Sequence, residues 1–162
     1  MMSFERILTY FETQNLKQRV VFHETPSDTV AHAAQACQCE EAQIAKTMAF
    51  LLKDEQVVLV VAAGDAKINS AKFKKVFGQK AVFLPFEQVQ NYTGFIPGGV
   101  CPFAAEKELA VYLDVSMKRF ADVYVAAGHP QATVHLTIEE LEQHSHAKDW
   151  TDVCKEWIGC EG

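Results

Sequence analysis

The chain has 162 residues, 49% apolar and 22% charged, with a net charge of −6. That length suits one domain with its own core, and the composition excludes disorder of the whole. No apolar run approaches the roughly 20 residues that span a bilayer, and the acidic balance gives no general footprint for DNA, so any nucleic-acid partner must meet a local patch.

Phe4, Ile7, Leu8 and Phe11 recur at helical spacing and predict an amphipathic helix with Ser3 as its cap. Residues 20–22 read as a short strand, and Pro26-Ser27-Asp28 opens an alanine-rich helix over 29–37. Residues 44–52 are apolar except near their start, as in a buried strand. A polar turn at 53–56 leads into a returning strand over 57–62, so the two form a hairpin. After Gly64-Asp65, Asn69 or Ser70 caps a lysine-rich helix ending near Gly78. Residues 81–84 read as a strand stopped by Pro85, and 92–103 are irregular, with Gly94, Pro97, Gly98, Gly99 and Pro102 close together. Further strands are expected at 111–113, 123–126 and 133–136. Thr137 and Glu140 have capping-box spacing at the head of a last helix reaching about Ala147, and the tail carries Trp150 and Trp157. No internal repeat or linker divides the chain. The pattern predicts a single domain over 1–162 of α+β (mixed α/β) class. Its central sheet is mixed, largely antiparallel, of about six or seven strands flanked by helices.

Five cysteines, Cys37, Cys39, Cys101, Cys154 and Cys160, are odd in number and scattered, which predicts reduced thiols in a cytoplasmic protein. The start of the chain shows no basic-then-apolar leader, in keeping with that location. Cys37-x-Cys39 with Cys154 and Cys160 lacks the pair spacing of about two to four residues usual in structural zinc, so no metal site is expected. The glycine fingerprint of dinucleotide enzymes, the phosphate-binding loop, H-E-x-x-H and G-x-S-x-G are all missing, and no cofactor is expected.

Two features remain. Lys46 is a charge at the edge of an apolar strand, where desolvation disfavours an ammonium without a partner. It either snorkels to water or points into a cleft, where it could bind a phosphate, a ribose hydroxyl or a developing oxyanion. In the loop over 95–103, Gly98 and Gly99 permit close backbone approach to a ligand and Pro102 stiffens the exit. The same residues would also serve a plain structural turn.

The ordered set Ile44-Ala45-Lys46-Thr47-Met48, Gly64-Asp65-Ala66-Lys67, Thr93-Gly94-Phe95-Ile96-Pro97-Gly98-Gly99-Val100-Cys101-Pro102, Val111-Tyr112-Leu113-Asp114 and Ala126-Ala127-Gly128 resembles the YbaK/prolyl-tRNA synthetase-associated editing domain family over about residues 20–147. The resemblance implies a free-standing aminoacyl-tRNA deacylase that hydrolyses the ester of a small amino acid mischarged on tRNA, most often tRNA(Pro). Its partner is the 3′-terminal aminoacyl-adenosine of mischarged tRNA, and a complex with prolyl-tRNA synthetase stays open. Lys46 matches the family's active-site lysine, and Gly98 to Pro102, with Gly99, Val100 and Cys101 between, match its substrate-binding loop. The family works without metal or protein nucleophile, so water or a group of the substrate attacks. On the same resemblance Asp65 orients Lys46 or the ribose, or caps a turn. Gly128 and His129 sit in a loop that faces the pocket in relatives, or His129 is plain surface. Thr47 lines the pocket or packs in its strand.

Lys67, Lys72, Lys74 and Lys75, with Lys80 nearby, would make a positive stripe for acceptor-stem phosphates, or a solvated helix face; Lys118-Arg119 is a second small basic cluster. Two other functions are weighed. One is a cysteine hydrolase with Cys101 as thiolate and His129 as base. The other is a non-catalytic tRNA- or synthetase-binding module.

Overall fold

The computed structural model describes residues 3–159. Helix α1 (Ser3–Thr13) buries Ile7 and Phe11, and a 3-10 turn leads to β1 (Val20–Phe22). Ser3 stands inside the helix and its hydroxyl donates to the Gly94 carbonyl at 3.2 Å, so it ties α1 to the irregular loop where a cap was expected. Helix α2 (Val30–Cys37) begins after Thr29, whose hydroxyl accepts from the His32 N–H, an ordinary N-cap. The hairpin β2 (Ile44–Leu51) and β3 (Val57–Ala63) follows, then β4 (Lys67–Ile68) and α3 (Ser70–Phe77), capped by Asn69. The second half of the chain holds α4 (Val89–Thr93), β5 (Ala110–Asp114), β6 (Asp122–Ala126), β7 (Ala132–Thr137), α5 (Ile138–Ser145), β8 (Asp149–Thr151) and β9 (Cys154–Lys155).

Among the described residues the main sheet has seven strands in the order β1-β7-β6-β2-β3-β5-β8, and β4 pairs with β9 in a small second sheet. Neighbours β1–β7, β7–β6 and β2–β3 are antiparallel, and β6–β2, β3–β5 and β5–β8 are parallel. The longest ladder is the antiparallel hairpin, from Ala45↔Ala63 to Leu51↔Val57, so the sheet is mixed and mostly antiparallel.

Every residue of β3 is buried, which explains its unbroken apolar sequence: a strand covered on both faces has no polar side to alternate with. Val57, Leu59, Val61 and Ala63 join a core with Ile7, Phe11, Leu113, Leu136 and Leu141, under α1 and α5. Val58, Val60 and Ala62 join Phe50, Phe73 and Val153 on the other face, under α3.

Two expectations need correcting. Residues 81–84 do not form a strand: Phe83 makes an isolated bridge to Phe50, flanked by Leu51 N–H to Val82 O (2.9 Å) and Leu84 N–H to Ala49 O (3.0 Å). Pro85 follows at once and brings no donor with which to extend that pairing. Conversely, the tail, for which the sequence pattern predicts no strand, contributes β8 at the sheet edge and β9 against β4.

One irregularity of the sheet prepares the functional site. β2 and β6 touch only at Ile44↔Tyr124 and Ala45↔Val125, after which they part. A gap therefore opens just where β2 presents Lys46.

Candidate active site

A cavity of about 260 Å³ occupies that gap. Its walls come from the N-terminus of α2 (Ser27, Asp28, Thr29, Val30), from β2 (Lys46, Thr47), from Tyr124 and Ala126 of β6, from Thr133, and from Gly98 and Val100. The hollow lies at the carboxyl end of β6 and beside the first residues of β2, where these two parallel neighbours part. Lysine and glycine-rich loop, distant in sequence, thus meet in one hollow.

Lys46 lies opposite Ala62 in the hairpin, on the face shared with Met48 and Phe50. Its Nζ donates to the Ala66 carbonyl and reaches the Gly64 carbonyl at 3.5 Å. Burial lowers its pKa below the ordinary lysine range, and the nearby Asp65 carboxylate acts against that shift. A half-buried ammonium steered by two carbonyls is a directed cation, whereas a snorkelling lysine would have its charge in water.

The loop glycines have separable tasks. Gly98 has φ +83°, a left-handed conformation costly for residues with a Cβ, and it lies against Asp28 on the cavity wall. Gly99 faces another backbone: a Cβ there would stand 3.1 Å from His129 N and Cα. The close approach read as ligand binding is, at Gly99, the packing of two loops that holds Gly98 and Val100 in place. Gly128, at φ +86°, packs against Ile7 and Ser3 of α1.

Several expected site residues are elsewhere. Cys101 is fully buried, and burial pushes its thiol up to about 12. With Pro102 it borders a separate hollow of about 270 Å³ near Leu59 and His146. His129 is absent from the cavity wall; its ring packs on Phe22 at 4.8 Å and its Nδ1 accepts from the Gln131 N–H. The Cys101–His129 hydrolase is thereby excluded, because the thiol is desolvated and the imidazole is turned into an aromatic cluster. Asp65 does not touch Lys46: it is held by Arg119 at 2.6 and 3.0 Å. Thr47 does line the cavity, its Oγ1 buried and without a hydrogen-bond partner among the described residues. Of the basic stripe, Lys67 is near Glu156 (3.7 Å), and Lys72 is bonded to Asp152 and the Cys154 carbonyl. Lys74, Lys75 and Lys80 are exposed. Arg119 is committed to Asp65, and Lys118 lies 4.6 Å over the Trp150 ring.

Sequence reasoning missed Asp28. Its carboxylate accepts from His32 Nδ1 at 3.0 Å, and that hydrogen bond lowers its pKa. It sits on the cavity wall with Lys46, so the hollow carries opposite charges. The signal was present as Pro26-Ser27-Asp28, but a helix start explains those residues completely.

Among the described residues Cys37, Cys39, Cys101 and Cys154 form no disulfide, and Cys160 lies outside them. Among the described residues no group of three or more His, Cys, Asp or Glu side chains is arranged to hold a metal, and no helix is long and apolar enough to cross a membrane.

Fold and site together define a small α/β domain with one hollow walled by the half-buried Lys46, the Asp28 carboxylate and the loop at Gly98 and Val100. A family model described as the aminoacyl-tRNA editing domain matches residues 24–143, and the chain belongs to that family. It is 43% identical over 156 residues to the uncharacterized protein YwhH of Bacillus subtilis, covering 96% of this chain and 99% of that one. It is 24% identical to a proline–tRNA ligase of Bacillus licheniformis over 88% of this chain, yet spans only 24% of that ligase. A solved structure offered as a candidate trans-editing enzyme for prolyl-tRNA synthetase superposes with a TM-score of 0.82 at 28% identity, over 94% of this chain and 97% of the other.

Proposed function

We propose that this protein is a trans-acting aminoacyl-tRNA deacylase that removes a small amino acid mischarged on tRNA, with tRNA(Pro) as its first substrate. The observation that carries the reading is the meeting of Lys46 and Gly98 in one hollow of about 260 Å³. That volume falls just under the roughly 300–1,000 Å³ of pockets that enclose a drug-sized ligand, so it suits the aminoacyl end of a larger molecule. An aminoacyl ester has a protonated α-amine beside a carbonyl whose oxygen gains charge on attack. Asp28 and Lys46, on the walls of the same cavity, complement those two charges. Family membership supports the substrate class, and the likeness to part of a proline–tRNA ligase supports the choice of tRNA.

In the proposed step water adds to the ester carbonyl carbon, and Lys46 stabilises the resulting oxyanion. The bond to the ribose oxygen then breaks, and the proton surrendered by the water ends on that oxygen. The products are a free amino acid and tRNA with its terminal hydroxyl restored. An activated ester needs positioning and electrostatic stabilisation more than a nucleophile from the protein.

Lys46→Ala tests this in a deacylation panel of alanyl-, seryl-, cysteinyl- and threonyl-tRNA. Loss of one oxyanion donor is expected to lower kcat on the order of 10²–10³-fold, with circular dichroism and Tm close to the parent's. Near-normal turnover by the variant would remove Lys46 from the mechanism. A parent protein inert on the whole panel would overturn the deacylase reading.

A further inference from the structure

We propose that Arg119 is a positioning residue for the reaction, fixing through Asp65 the turn whose carbonyls aim Lys46. The inference rests on the deacylase reading above and adds to it a residue outside the cavity wall.

The turn Gly64-Asp65-Ala66 joins β3 to β4, and both of its outer carbonyls accept from Lys46 Nζ. Each part of it is held from outside. Gly64 admits no Cβ, which would stand 2.0 Å from the Glu41 carbonyl oxygen. The Ala63 N–H, at the entry, donates to Ser116 Oγ at 3.1 Å. Asp65, at the apex, receives Arg119 Nη2 at 2.6 Å and Nη1 at 3.0 Å, a two-pronged grip that fixes orientation as well as distance. The Ile158 N–H adds a third bond to the same carboxylate at 3.3 Å.

Arg119 is itself anchored. Its Nε donates to the Ser116 carbonyl (2.8 Å), Nη1 donates also to the Ile158 carbonyl (3.1 Å), and its guanidinium carbon lies 4.9 Å from the Phe120 and Trp157 ring centres. Both side chains of the ion pair are only 21% exposed. Such an arrangement exceeds what surface neutralisation of an aspartate requires, and lysine cannot reproduce the planar fork.

The charged and titratable groups around Lys46 are Asp65 and Lys67 from the strands and turn beside it, Cys154 from β9, whose thiol burial keeps protonated, and Asp28 on the wall of the shared cavity, hydrogen-bonded to His32. With Arg119 removed, the Asp65 carboxylate loses its counter-charge and becomes a free attractor for the ammonium. Lys46 would turn away from the ester, and its proton would be held more tightly. The sign follows: the alkaline limb of activity, where Lys46 loses its proton, moves to higher pH.

The test uses the most rapidly cleaved member of the alanyl, seryl, cysteinyl and threonyl series, presented both as charged tRNA and as aminoacyl-adenosine. Arg119→Gln is expected to lower kcat about ten- to a hundredfold on both substrates with KM little changed, as for a misplacement of about 1 Å. Its alkaline limb should shift upward, Arg119→Lys should not restore the parent profile, and adding Asp65→Asn should return the limb toward the parent position. The inference is overturned if Arg119→Gln keeps the parent kcat and pH profile while Lys46→Ala is inactive. It is also overturned if only KM for charged tRNA rises, the mark of a direct phosphate contact, or if Tm falls with the pH profile unmoved, the mark of a structural tie. Activity in Lys46→Ala would instead remove the reading on which it stands.

Discussion

Cys101 stands beside two glycines in a loop that reaches the cavity, and its chemistry is nonetheless inert. Its side chain is sealed from solvent, and a thiol with a pKa near 12 supplies almost no thiolate at neutral pH. Cys101→Ala is therefore expected to keep single-turnover deacylation within about twofold of the parent, while the small void left behind costs roughly 1 kcal/mol of stability. A drop beyond tenfold in a folded variant would return the thiol to the mechanism. The contrast with Lys46 shows what a sequence carries at this scale. A charge in an apolar strand and a glycine pair are visible because the residue types conflict with their surroundings. The link from Arg119 is not, since its partner Asp65 is 54 positions away: Asp65 stands out only through the family resemblance, and Arg119 only as half of a small basic cluster. Asp28 escaped for the opposite reason: a helix start already accounted for it.

Elements were legible where a local device marks them. The last helix, α5, is one such case: the Thr137 hydroxyl accepts from the Glu140 N–H at 3.1 Å, and the Glu140 carboxylate accepts from the Thr137 N–H at 2.9 Å. Arg19 donates to the same carboxylate oxygen at 2.9 Å, so the cap also ties the approach to β1 to the head of α5. Losing the threonine hydroxyl should cost about 1 kcal/mol, or a fall of roughly 2–4 °C in Tm for a chain of this size. Thr137→Ala should show that loss in a thermal melt, while Thr137→Ser stays near the parent; equal melting of all three would mean that the cap is not formed in solution. Strands without such marks were misjudged in both directions. Residues 81–84 have the apolar composition of a strand but sit where only the Phe50–Phe83 bridge is available. β8 and β9 are three and two residues long, too short for an alternation to register, and exist because β5 and β4 offer them an edge. Side-chain pattern reports which residues suit a strand; partners decide which become one.

At the scale of the whole molecule, the proposed function asks a protein of net charge −6 to hold a polyanion, so it needs a local patch of unspent cations. Lys72 is spent internally on Asp152 and the Cys154 carbonyl, and Lys67 is near Glu156. Lys74, Lys75 and Lys80 stand exposed on and just after α3, and they form no ion pair with the described residues. α3 packs through Phe73 on Phe50 of β2, the strand that also presents Lys46 on the same face. Four residues of strand separate Lys46 from Phe50, or about 13 Å at ~3.3 Å per residue. Phosphates met by α3 would thus belong to the acceptor stem while the aminoacyl end reaches the cavity. Each neutralised phosphate contributes about −0.7 to −0.9 to the slope of log affinity against log salt, so three lysines predict a slope of roughly −2 to −3. Lys74→Glu/Lys75→Glu should weaken tRNA binding and flatten that slope by about 1.5–2. Because neither lysine lines the cavity, hydrolysis of aminoacyl-adenosine should be unchanged. An unaltered slope would move the acceptor stem to another face of the protein. Equal losses on tRNA and aminoacyl-adenosine would mean that the substitutions disturb α3 and, through Phe73 and Phe50, the strand that holds Lys46.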